Sequence, residues 1–198
     1  ITAVSPRPHA DEPGLHWLQG EFGQPGALPV RVDAMFSCGP LDGFAQWYAM
    51  AGIECPRVIA FGSTSVDVKR GSADAAERDV ARRLREGEER VFATAARSGA
   101  AATLLRPTLV YGAGRDATLT RIAQLATRWR RFPLPRNAHG LRQPVHVDDL
   151  AAAAVACAPA TAAHGKAYAL PGGETLTYRD MVSRVLDSLK PPPVLVEL

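Results

Sequence analysis

Short apolar or β-branched runs alternate along the chain with longer segments in which apolar residues recur at helical spacing, the pattern of a parallel sheet covered by helices. The runs at 1–4, 15–18, 31–37, 57–61 and 103–110 predict strands. Between them, 42–51 predicts a short helix and 73–98 a long one that stops at Gly99, a residue suited to a helix C-terminus. Five strands in order with intervening helices make a doubly wound α/β sheet. Pro107 has no N–H to give a ladder, so it marks a strand end or a bulge inside the last run.

After Tyr111 the pattern changes. Loops rich in Gly, Pro and Arg connect expected helices at 117–130, 148–158 and 178–189 and an expected strand at 167–170. The chain therefore divides into a sheet domain, 1–110, and a small C-terminal α+β lobe, 111–198. Thr177 followed by Asp180 forms an N-terminal capping pattern, and Asp148 and Asp149 place negative charge at the positive end of the preceding helix. Lys190 and three prolines end the last helix.

Composition narrows the class. With 46% hydrophobic and 22% charged residues, and 17 Gly and 16 Pro without a period, the 198 residues read as a globular chain and exclude coiled-coil, collagen-like and disordered classes. Apolar stretches such as 150–157 are far shorter than the roughly 20 residues a bilayer needs, so no membrane partner is expected. The net charge is only +3, and the arginines at 128, 130, 131 and 136 read as a solvated face around Trp129 rather than a nucleic-acid site. Cys38, Cys55 and Cys157 show no C-x-x-C spacing, and the first residues lack a basic signal region. The expected setting is reducing and cytoplasmic.

Three stretches could carry chemistry. Ser63, Thr64 and Ser65 follow an apolar strand, at the end where a doubly wound sheet meets its ligand. Hydroxyls there hydrogen-bond a substrate oxygen, or simply cap the strand-to-helix turn. Residues 105–114 run a strand through Pro107, Thr108 and Tyr111 into a Gly-Ala-Gly loop, either a weak phosphate-loop signal or a flexible exit from the sheet. Residues 141–149 hold Arg142, a guanidinium suited to phosphate or carboxylate or else a solvated side chain, and His146 with Asp148 and Asp149, read as a capped helix start with no metal.

Taken in order, these stretches resemble the NAD-dependent epimerase/dehydratase family of the extended short-chain dehydrogenase/reductase superfamily. The resemblance rests on 3–8, 32–37, the Ser-Thr-Ser strand end, Leu105-Arg106-Pro107-Thr108-Leu109-Val110-Tyr111-Gly112 and Pro144-Val145-His146-Val147-Asp148-Asp149-Leu150. It implies a Rossmann-like fold with a small substrate lobe, NAD or NADP as cofactor, and sugar nucleotides or related carbonyl compounds as substrates. By the same resemblance Ser63 is the catalytic hydroxyl, with Tyr111 the nearby candidate acid/base. Ser37, Cys38 and Gly39 line the cofactor crevice, Arg7 approaches the adenosine ribose or a 2′-phosphate, Pro107 and Thr108 the nicotinamide, and Arg142 the substrate phosphate.

Two departures qualify the resemblance. The family begins with a strand and a Gly-x-x-Gly-x-x-Gly pyrophosphate turn, whereas this chain starts at the family's second strand and is expected to have no such turn. A lost central strand would leave its neighbours about 10 Å apart at strand spacings near 4.8 Å. The expectations are a longer natural N-terminus or a different sheet closure, with weak or absent NAD(P) binding by these 198 residues. In the long helix, the family's Tyr-x-x-x-Lys pair falls on Val80 and Leu84, neither of which transfers a proton. The expected function is thus an atypical NAD(P)-linked oxidoreductase or epimerase. The rival is a non-catalytic dinucleotide or metabolite sensor acting through a protein partner. A small molecule, with a sugar nucleotide as one candidate, is the expected partner, and the fold is compatible with a homodimer.

Overall fold

The chain opens with two strands, β1 (Thr2–Ser5) and β2 (His16–Gln19), paired in parallel so that Thr2 faces His16 and Ser5 faces Gln19. The computed structural model describes residues 1–22 and 27–198. Next come β3 (Met35–Ser37), α1 (Leu41–Tyr48), β4 (Arg57–Phe61), the short α2 (Ser65–Val68), α3 (Ala75–Arg97) and β5 (Ala101–Pro107). They are followed by β6 (Leu109–Tyr111), α4 (Leu119–Trp129), β7 (Arg131–Leu134), β8 (Leu141–Arg142), β9 (Pro144–His146) and α5 (Val147–Cys157). A 3₁₀ turn (Thr161–Ala163), β10 (Lys166–Leu170), β11 (Leu176–Thr177), α6 (Tyr178–Asp187) and β12 (Val194–Glu197) complete the chain. Two units result, one of 1–105 with 157–168 and one of 106–156 with 169–198.

In the first unit β3, β4 and β5 run parallel in the ladder order β10-β5-β4-β3. Alternation puts Val58, Ala60, Ala102 and Leu104 on one face, where they pack against Leu41, Phe44 and Ala45 of α1 and Val91 and Ala95 of α3. Gly87 lets α3 approach α1 closely, since a Cβ there would sit 3.2 Å from the Leu41 side chain. On the other face the Thr103 hydroxyl donates to the Ala163 carbonyl at 2.8 Å. The second unit has its own core of Ile122 and Ala126 from α4, Leu134 from β7 and Met181, Val182 and Leu186 from α6. Its strands form three small ladders, β6 with β9 and β7 with β12 in parallel, and β8 with β11 antiparallel.

The α/β class with a parallel sheet agrees with the sequence, while several details differ. Among the described residues the five expected strands do not make one ladder: β1 pairs with β2, β3 pairs with β4, and nothing joins the two sets. The strand expected at 31–37 shrinks to Met35–Ser37, with Arg31 held in an isolated bridge to Glu54. The run expected at 103–110 breaks after Pro107, whose missing N–H ends β5 and lets β6 begin a new ladder. The strand expected at 167–170 in the C-terminal lobe instead extends the first unit's sheet as β10. At the long helix, Gly99 (φ +68°) ends α3 as the sequence indicates: its N–H bonds Ala96 O at 3.4 Å, and Ala100 N–H bonds Ala95 O at 2.9 Å.

Candidate functional site

In the first unit the parallel register sets Ser37 opposite Ala60, so β3 ends at Ser37 just before β4 delivers Gly62 and Ser63. Ser37 is 4% exposed, and its hydroxyl has no hydrogen-bond partner among the described residues. Such a group costs about 1–3 kcal/mol when left unsatisfied, which makes it notable at a ligand-facing strand end. Ser63 accepts a hydrogen bond from Ser65 N–H at 3.2 Å, and its carbonyl accepts Val66 N–H at 3.1 Å, so it shapes the turn into α2. The hydroxyl hydrogen is not used in that bond and can still be donated to a substrate carbonyl.

The other first-unit candidates differ in what they can offer. Loss of hydration raises the Cys38 thiol above its ordinary pKa even though the residue reaches the surface, so it stays protonated and is a poor nucleophile at neutral pH. Gly39 faces its own chain, since a Cβ there would meet the Phe22 ring at 2.8 Å. Arg7 is exposed, and its guanidinium has no partner among the described residues, while its backbone N–H donates to Ser5 Oγ at 3.1 Å. Val80 and Leu84 are half-buried on α3, Leu84 against the unit's core. A glycine spacing of the pyrophosphate-turn form, Gly20-Glu21-Phe22-Gly23-Gln24-Pro25-Gly26, follows β2, with 23–26 outside the described residues. The next described helix begins at Leu41.

In the second unit the Thr108 hydroxyl donates to the Gln143 carbonyl, and the Gln143 amide donates to Gly172 O at 3.1 Å. Thr108 is therefore engaged in joining β6 to the segment before β9. Tyr111 meets the His146 ring edge-on, with centroids 5.1 Å apart. Nδ1 of His146 accepts Asp148 N–H at 3.3 Å, a capping role at the start of α5. Among the described residues no cluster of three metal-ligating side chains exists. The Arg142 guanidinium lies 5.6 Å from the centre of the Tyr178 ring and donates to the Leu141 carbonyl at 2.8 Å, leaving further donors for an anion.

Sequence reasoning passed over Asp116. Its carboxylate accepts Thr118 N–H at 3.1 Å and Thr120 N–H at 3.0 Å, and also the Thr120 hydroxyl. Desolvation pushes the carboxyl upward, but hydrogen bonds from the Thr120 hydroxyl and the N–H groups of Thr120, Thr118 and Leu119 outweigh it and hold the pKa below the ordinary value. An aspartate directly before a periodic apolar run was the available signal. Asp116 borders an open pocket of about 530 Å³ whose rim also includes Tyr111, Glu174 and Arg184, all within the second unit.

Comparison with known proteins agrees with this architecture. Residues 81–170 match the model of the NAD dependent epimerase/dehydratase family. A 111-residue stretch is 33% identical to the 2-alkyl-3-oxoalkanoate reductase of Stenotrophomonas maltophilia, covering 54% of this chain. The chain spans about a third (33%) of the length of that relative. Among solved structures, an epimerase of Methanothermobacter thermautotrophicus superposes with a TM-score of 0.73 at 12% identity, over 96% of this chain and 67% of that one. MoeE5 in complex with UDP-glucose and NAD gives 0.72 at 18% identity, over 100% and 76%. At such identities the structures establish the fold, a Rossmann-like α/β arrangement.

Proposed function

We propose that this chain supplies the substrate-facing part of an NAD(P)-linked reaction, a hydride-transfer oxidoreduction or epimerisation of a sugar nucleotide or a small carbonyl compound. The observation that carries the reading is the buried, unpartnered hydroxyl of Ser37 beside the Gly62–Ser63 turn, at the carboxyl ends of parallel strands where doubly wound sheets take their ligands. The match over 81–170 supports the same class. In this reading Ser63 of the first unit is a candidate donor to a carbonyl oxygen, and Tyr111 of the second unit is a candidate acid/base. Arg142 offers its free donors to a substrate phosphate.

A dinucleotide fits the described residues in part. Ser37 and Arg7 offer a hydroxyl and a guanidinium, whereas the described residues provide no glycine turn opening onto a helix N-terminus for the pyrophosphate, and Phe22 covers Gly39. When bound, the dinucleotide would supply the hydride. Calorimetric titration of the chain with NAD and NADP is expected to give affinities weaker than micromolar. Ser37→Ala is expected to leave the thermal midpoint unchanged or higher, because an unsatisfied buried hydroxyl is removed, and to weaken whatever dinucleotide binding is measured. Micromolar affinity that survives Ser37→Ala would overturn the assignment of that hydroxyl.

A further inference from the structure

The second-unit pocket discriminates between the substrate classes just named. Its walls are Leu119 and Ala123 of α4, Leu176 of β11, and Met181 and Val185 of α6, with Tyr111 at the end of β6. Its charged groups are committed elsewhere. Asp116 accepts the hydrogen bonds that begin α4, and Glu174 is paired with Arg184 through two guanidinium nitrogens. Two carboxylates against one guanidinium leave a formal excess of one negative charge, and the one cation is already neutralised. A pyrophosphate entering here would meet repulsion and no free cationic partner. An uncharged alkyl group would exchange water for apolar wall.

We propose that this pocket holds the alkyl chain of a carbonyl substrate whose oxygen lies toward Tyr111. The inference rests on the oxidoreductase or epimerase reading and selects, within it, alkyl-substituted carbonyl compounds over sugar nucleotides. It follows that affinity should climb with chain length, by about fourfold for each buried methylene.

The test is equilibrium binding to the full chain, without cofactor, of the methyl ketones 2-pentanone, 2-heptanone and 2-nonanone, with UDP-glucose in parallel. From the shortest to the longest ketone, four methylenes apart, affinity is expected to rise about 250-fold. Ala123→Phe, which fills the pocket from α4, is expected to flatten that dependence. Val185→Phe fills it from α6 should the first variant fail to fold. Affinity independent of chain length, or UDP-glucose binding that Ala123→Phe or Val185→Phe abolishes, overturns the proposal. Length-dependent binding that the filling variants remove supports the pocket even when no ketone is reduced by NADH or NADPH, and in that case the oxidoreductase reading is what fails.

Discussion

At the scale of single residues, the most demanding position is Gly172, where a Cβ would sit 1.7 Å from the Pro144 carbonyl oxygen and 3.2 Å from Val145 N. No side-chain rotation relieves a collision with backbone, so Gly172→Ala must displace β9 or the strand exit before it. Overpacking of this kind costs about 1–3 kcal/mol, to be read as a lower denaturant midpoint at unchanged slope. The neighbouring Gly173 has nothing within 4 Å of its Cβ position, so Gly173→Ala should leave the midpoint nearly unchanged. Equal effects at the two positions would show that the close approach is not what selects glycine at 172. The same approach sets the segment before β9, because Gln143 donates to the Gly172 carbonyl while accepting from Thr108.

At the scale of elements, Asp116 makes the start of α4 dependent on pH. Its folded-state pKa lies below the ordinary 3.8, so its contribution is complete above that value and is lost as pH falls through the lower, folded pKa. Asp116→Ala should therefore cost about 0.5–2 kcal/mol at neutral pH, and thermal melts should show the gap from the parent protein closing in acid. A gap that persists unchanged at the most acidic pH would mean the carboxylate is not its source. Local chemistry of this kind was partly legible in the sequence. The stop at Gly99 and the Thr177 cap, which accepts Asp180 N–H at 3.0 Å, both depend on residues within one turn of each other. The break at Pro107 was legible because a missing donor acts wherever the proline sits. The ladder of β10 on β5 was not, since it joins residues about sixty positions apart and leaves no periodic trace. The same limit hid the second-unit pocket, whose walls come from α4, β11 and α6. It hid the Ser37 orphan as well, because an unsatisfied hydroxyl is a property of neighbours rather than of serine. For Ser63 the sequence left ligand contact and turn capping open, and the capping bond is present while the hydroxyl hydrogen stays available.

For the whole molecule, stability is unevenly distributed. Neither β1 nor β2 has a buried residue, whereas Val58, Ile59 and Ala60 of β4 are all at most 2% exposed. Two-stranded ladders with little apolar cover are marginal, so native-state hydrogen exchange should release the β1 and β2 amides well before those of β4. Equal protection would mean that the two ladders open as one cooperative unit. The return of 157–168 to the first unit has a consequence in time. During synthesis β5 leaves the ribosome about sixty residues before β10, an interval of about 3–12 s at ordinary elongation rates. Through that interval the second unit is being made while one edge of the nascent sheet has no neighbour, and Thr103 lacks the Ala163 carbonyl it will later bond. The last step in completing the older unit therefore belongs to the younger part of the chain, and slow translation across 108–165 would lengthen the period in which that edge is open to other nascent strands.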